Sequence, residues 1–214
     1  MGSEMCIRDS HRFTAKALFL CKRARPDIQP IVSVLCTRVK QPTEKAFNKL
    51  VRMMKYLTST RKDTLKLSIK DGINKLEWFI DASFAVHPDF RSHTGMTMRF
   101  GGGTGSPIQQ SLKQKLNTDS STTSELVGVH QALPVVLWVK LFLEAQGYLI
   151  DENIVYQDNQ SAILLENNGK KSSSKRTRHL NIRYFMVTDQ VEKGNITIKS
   201  VSYTHLTLPT ICSV

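Results

Sequence analysis

The sequence predicts a mixed α/β domain preceded by a helical segment, and three observations carry that prediction. Apolar residues recur at helical spacing up to about Thr60. Beyond Arg61 the period changes to short alternating or apolar runs broken by glycine and proline, the pattern of strands and turns. The elements then run three strands, helix, strand, helices, strand, an order that suits a sheet layered with helices.

Each element has its own signal. Within the helical stretch Ala15–Thr60, the segment Thr43–Leu57 sets Ala46, Phe47, Leu50, Met53, Met54 and Leu57 at i, i+3, i+4 spacing, with Lys and Arg between them. Pro42 and Thr43 mark its start. Thr64 to Ile69 alternates, Asp71-Gly72 supplies a turn, and Lys75 to Ile80 is an apolar strand ending at Asp81. Thr94–Phe100 and Pro107–Leu116 are the next two strands. Gly101, Gly102, Gly103 and Gly105 between them read as a hairpin connection. The alternative, a phosphate cradle, lacks the Gly-Lys-Ser/Thr that should follow it. Ser120–Gln146 is a long helix, opened by a Ser/Thr cluster and kinked at Pro134. Ile154–Gln157 is a short strand, Asn159–Asn167 a helix, Lys170–Arg178 a basic loop, Leu180–Lys193 a helix ended by Gly194, and Asn195–Val201 the last strand. Trp78 and Trp138 are expected in the core.

The 214 residues are enough for one ordinary domain and a partial neighbour. Thirty Lys and Arg against eighteen Asp and Glu give a net charge of +12, and the sequence pI is near 9.7. That balance fits either a polyanionic partner or a solvated basic surface. The four cysteines show neither CxxC spacing nor a nearby histidine pattern, which argues against zinc and against a disulfide framework. No apolar run reaches the ~18 residues of a membrane span, and Lys140 interrupts the longest, Leu133–Leu143. No secretory signal is visible. A soluble intracellular protein is expected, in a cytoplasmic particle or the nucleus.

Three acids fall where metal chemistry would want them. Asp81 and Asp158 each follow an apolar strand, and Glu125 falls in the first turn of the long helix. Neighbouring strands crossed by that helix would bring all three together, and hard divalent cations need such carboxylate oxygens. Each also has a plainer reading. Glu125 three residues after Thr122 suits a capping box, and either aspartate suits a strand end or a helix cap.

The residues around these acids carry a resemblance. Gln157-Asp158-Asn159-Gln160-Ser161-Ala162-Ile163 resembles the DNQSAI signature of copia-type retrotransposon ribonuclease H domains. Asp81–Ala85, Arg91–Gly95, Ser111–Gln114 and Ser121–Glu125 are similar to further segments of that family, in the same order. Arg176–Tyr184 resembles its RTKHIDIRYH stretch. Upstream, Ala24–Ile28 and Met53–Thr60 are similar to the RPDI and RYLKGT segments that end the family's reverse transcriptase.

The resemblance implies a ribonuclease H-like fold: a central mixed five-stranded sheet with helices on both faces. It implies that Asp81, Glu125 and Asp158 bind two Mg2+ ions, with Mn2+ as a substitute, and that the RNA strand of an RNA–DNA hybrid is cut. The hybrid would be told from duplex DNA by 2′-hydroxyls and minor-groove shape. Candidate hybrid contacts are Arg91, Lys113, Lys115, Asn159, Gln160, Lys175, Arg176, Arg178 and His179, with Lys170 and Lys171 in the same basic loop. A solvated loop and a capping role for His179 are the alternatives. The reverse transcriptase of the same polyprotein is the implied protein partner, with no membrane and no small-molecule cofactor.

There are departures from the family pattern. Its fourth metal-site aspartate follows the last strand in a QxAD segment, and no Asp or Glu follows Val201 here. Asn181 stands where the family often has an acid, and Asp189 is a poor substitute for the missing ligand. Met5–Ser10 (MCIRDS) and Val201–Thr210 (VSYTHLTLPT) resemble translated sequencing-adapter read-through. The expected organisation is therefore an artefactual or disordered 1–13, a reverse transcriptase tail at 14–62, a truncated ribonuclease H-like domain at 63–201, and a second artefact at 202–214. Two further readings stand beside the nuclease: an inactive hybrid-binding module of the same fold, and a transposase or integrase. No YxDD segment is present, so DNA synthesis is not expected.

Overall fold

The computed structural model of the chain describes residues 2–41, 43–169 and 181–201. The chain folds as two compact units, Met1–Lys66 and Leu67–Val214.

The first unit is helical: α1 (Gly2–Arg23), a single 3-10 turn at Pro26–Ile28, α2 (Gln29–Cys36) and α3 (Glu44–Ser59). Residues 2–13, expected to lie outside the fold, are the opening turns of α1, and Ser10 is buried. The Thr43 hydroxyl caps α3 by accepting from the Ala46 amide at 3.2 Å. Ala46, Leu50 and Met53 then close on Ala17, Cys21, Ile28, Val32 and Leu35. Leu57 packs partly against this cluster, whereas Phe47 and Met54 of the predicted stripe stay exposed. The Arg25 guanidinium donates to both Asp27 oxygens, to the Thr60 carbonyl and to the Thr60 hydroxyl, while Tyr56 OH donates to Asp27. These bonds fasten the turn at Pro26 to the end of α3.

The second unit is built on β1 (Lys75–Ser83), β2 (His93–Phe100), β3 (Ile108–Lys113), α4 (Ser121–Ala145), β4 (Glu152–Gln157), α5 (Gln160–Asn168), α6 (Asn181–Glu192) and β5 (Thr197–Ser200). The strand order is β3-β2-β1-β4-β5. β1, β2 and β3 pair antiparallel, and β4 and β5 add parallel to β1. This is the ribonuclease H-like arrangement that the resemblance implied. Alternation puts Leu76, Trp78 and Ile80 on one sheet face with Met96, Met98, Val155 and Ile198. All three described helices of the unit add to that core, through Val129 and Val136, Ile163, and Val187.

Several sequence expectations need correction. Thr64–Ile69, which alternates in sequence but is not among the expected strands, forms none. Instead Ser68 and Lys70 donate their amides to the glycine turn at the Thr104 and Gly101 carbonyls. A Cβ on Gly103 would lie 1.9 Å from the Ser68 carbonyl oxygen. Close backbone approach is thus what this glycine serves, as a turn and not a phosphate cradle. The third strand stops at Lys113. Trp138 is not core: it is 59% exposed and stacks on Phe142, because Val136, Val139 and Leu143 occupy the inward face of α4. α4 is long and apolar enough to cross a membrane, by length and composition alone. It is nevertheless the core helix of this unit.

Candidate active site

Strand pairing brings the first two acids together. β1 and β4 are parallel neighbours, with Trp78 opposite Val155 and Phe79 opposite Tyr156. Asp81 on β1 and Asp158 just past β4 therefore emerge side by side. α4 packs over β1 and delivers Glu125. One carboxylate oxygen from each of Asp81, Glu125 and Asp158 lies within 4.8 Å of the others.

The opening of α4 explains the Ser/Thr cluster. Ser120 is the N-cap, accepting from the Thr123 amide at 3.1 Å, and the Thr123 hydroxyl donates to Asp119. Glu125 thus lies in the second turn, not the first, and is not the acid of a capping box. Its Oε1 accepts from the Ala82 amide at 3.0 Å, one residue past Asp81. Glu125 is buried and its Oε2 accepts no hydrogen bond, whereas Asp81 is half-buried and Asp158 exposed. Burial first, then the charges of Asp81 and Asp158, push the Glu125 carboxyl up to about 9. A set of hard oxygen donors that repel one another fits a divalent cation, which would offset that repulsion.

Two other family-like segments form a buried polar support beside this site, on β2 and β3 and the turns next to them. His93 Nδ1 lies 3.0 Å from His87 Nε2, and His93 Nε2 lies 2.7 Å from the Ser111 hydroxyl. Gln114 Nε2 donates to the Thr94 hydroxyl and the Ser124 carbonyl, and the Gln114 amide donates to the Ser92 carbonyl. The Ser92 hydroxyl accepts from the Ala85 amide.

The candidate nucleic-acid contacts are placed unevenly. Arg91 and Lys113 both pair with Asp89, at 3.4 and 2.6 Å, which partly neutralises them. Lys115 and Gln160 are exposed. Asn159 caps α5, its Oδ1 accepting from the Ala162 amide. Lys170, Lys171, Lys175, Arg176, Arg178 and His179 lie outside the described residues. Sequence reasoning missed Glu166 on α5, which is fully buried with both carboxylate oxygens unpaired. The available signal was its position four residues after Ala162, on the face that α5 buries.

No protein-family model matches the chain. The chain is 31% identical to the retrovirus-related Pol polyprotein from transposon TNT 1-94 of Nicotiana tabacum over 83% of its own length and 13% of that protein's. It is 31% identical to the Pol polyprotein from transposon RE1 of Arabidopsis thaliana over 94% of this chain and 14% of that one. It therefore spans about one-seventh of the length of these relatives or less. Among solved structures, the foamy viral protease-reverse transcriptase in complex with RNA/DNA hybrid matches with a TM-score of 0.55 and 15% identity, over 96% of this chain and 27% of that one. LC11-RNase H1, isolated from compost, gives a TM-score of 0.44 and 14% identity over 61% and 86%. Over most of its length the chain is a homologue of one segment of the retrovirus-related Pol polyproteins of plant transposons, and its second unit has a ribonuclease H-like fold.

Proposed function

We propose that the second unit is a hybrid ribonuclease, an endonuclease that hydrolyses the RNA strand of an RNA–DNA hybrid as part of a copia-type Pol polyprotein. The observation that carries this reading is the convergence of Asp81, Glu125 and Asp158 to within 4.8 Å where the inner strands β1 and β4 end. These three carboxylates would hold two divalent ions, Mg2+ or Mn2+. When bound, such ions supply an activated water and charge stabilisation at a phosphodiester. Rigidity is the protein's own contribution. Asp81 and Asp158 come from paired strands, and Glu125 is fastened to the Ala82 amide.

The basic side chains orient the substrate. Lys115 is exposed for phosphate contact, and Arg91 and Lys113 are gathered around Asp89. Lys175, Arg176, Arg178 and His179 belong to the same proposal, as does the reverse transcriptase of the polyprotein as partner.

The test is cleavage of an end-labelled RNA–DNA hybrid with Mg2+ or Mn2+, comparing this chain with Asp158→Asn. Metal-dependent cutting of the RNA strand alone, lost in the variant, is the expected result. Hybrid binding without cutting would overturn the nuclease in favour of a binding module.

A further inference from the structure

Behind the carboxylate cluster lies a second set of polar atoms that neither the fold nor the three carboxylates account for. Both amide atoms of Gln157 and both carboxylate oxygens of Glu166 are buried without a hydrogen-bond partner, as is Glu125 Oε2. Gln157 and Glu166 are each 0% exposed. An unpaired buried polar group costs about 1–3 kcal/mol, so groups of this kind call for partners beyond the protein's own side chains.

The placement of these groups is not scattered. Gln157 lies two residues past Val155, on the sheet face that α4 covers. Leu126, the neighbour of Glu125, packs with Ala162 of α5, and Glu166 follows one turn later on the same helical face. Glu166 is close enough to Glu125 to feel its charge. Its backbone carbonyl is meanwhile held by the Thr188 hydroxyl at 2.8 Å, which fixes α5 against α6.

We propose that Glu166 and Gln157 form a polar floor beneath Glu125 and that Glu166 is a positioning residue, holding the second oxygen of Glu125 toward the divalent cation through enclosed water. The site requires water to have two to four polar partners, and the five unpaired atoms supply them. With Oε1 tied to Ala82 and Oε2 tied to the floor, Glu125 has one orientation available. Supports of this kind tune a metal site without touching the metal. The inference rests on the reading of Asp81, Glu125 and Asp158 as a divalent-cation site.

The test is calorimetric titration of the full chain with Mn2+, comparing wild type with Glu166→Gln, Glu166→Leu and Gln157→Leu. Glu166→Leu removes the floor's hydrogen bonds at similar volume and is expected to weaken Mn2+ binding about tenfold, with thermal stability equal or higher. Glu166→Gln keeps hydrogen-bonding atoms and is expected to stay within about twofold of wild type. Should Glu166→Leu fail to fold, Gln157→Leu removes the same floor from β4 and decides the matter by the same loss. Unchanged affinity in the leucine variants, or equal loss in Glu166→Gln, would overturn the positioning role while leaving the cation site standing. A wild-type chain that binds no Mn2+ would sink the cation site itself, and this inference with it.

Discussion

The Glu125 carboxylate accepts a 3.0 Å hydrogen bond from the Ala82 amide, so the helix acid is fastened to the strand that carries Asp81. This bond separates two jobs of one side chain. The amide oxygen of Glu125→Gln can still accept from Ala82, but it offers a cation no charge. Glu125→Gln should therefore unfold at the same temperature as wild type, or higher, in the absence of metal. Its Mn2+ affinity should fall at least about tenfold. Glu125→Ala loses both jobs and should also be destabilised, by about 2 kcal/mol. Equal metal affinity in Glu125→Gln and wild type would remove Glu125 from the cation site.

His93 gives the protein a defined response to acid. Burial, and then the charge of His87, lowers its imidazole from 6.5 to about 4. In the unfolded chain His93 takes up a proton near pH 6.5, whereas in the folded chain it does so only near 4. Its contribution to stability is thus complete above pH 6.5, declines as pH falls toward 4, and is constant below that. Two and a half decades of proton affinity correspond to at most about 3.5 kcal/mol. Other groups titrate in this range, so the comparison is with His93→Gln. The advantage of wild type in urea unfolding should shrink between pH 6.5 and 4. An imidazole that titrates near 6.5 by NMR would show the prediction to be wrong.

What the sequence made legible follows from how local each signal is. The order of elements and the paired positions of Asp81 and Asp158 rest on hydropathy period and strand ends, which neighbours along the chain determine. The quoted segments then pointed to Glu125. Trp138 was misplaced because α4 is apolar all round, so periodicity cannot say which stripe faces the sheet. Thr64–Ile69 alternates like a strand, yet its amides are taken by a glycine turn more than thirty residues away. Glu166, marked only by its spacing from Ala162, and the His87–His93–Ser111 chain were passed over for a related reason. Their character comes from burial against elements distant in sequence.

The Arg25 network in the first unit gives the RPDI-like segment a physical role. Arg25 bonds Asp27 and Thr60 together and lies over the Tyr56 ring at 5.4 Å. Asp27 is partly solvated, which moderates the ion pair. Arg25→Ala should cost about 2 kcal/mol, seen as roughly thirtyfold loss of hydrogen-exchange protection in α3. Arg25→Lys should recover little, because a point charge cannot reach Asp27 and Thr60 with the same geometry. Full protection in Arg25→Lys would show that charge alone suffices.

Gln114 tests whether the buried support of the sheet edge matters to the site it borders. Its Nε2 joins Thr94 on β2 to the Ser124 carbonyl, immediately before Glu125. Gln114→Leu fills the space but removes the donor to the Thr94 hydroxyl and the second donor to the helical Ser124 carbonyl, at a cost of about 2 kcal/mol. If the start of α4 then shifts, Glu125 moves with it, and Mn2+ affinity should fall several-fold in molecules that remain folded. Gln114→Glu should be worse, since it sets a carboxylate against the Ser124 carbonyl in a buried position. Both effects are read by titrating Mn2+ well below the unfolding temperature of each variant. Lost stability with unchanged metal affinity would confine Gln114 to holding β2 and β3 against α4, and would leave the rigidity of Glu125 to its bond to Ala82 and the groups beneath it.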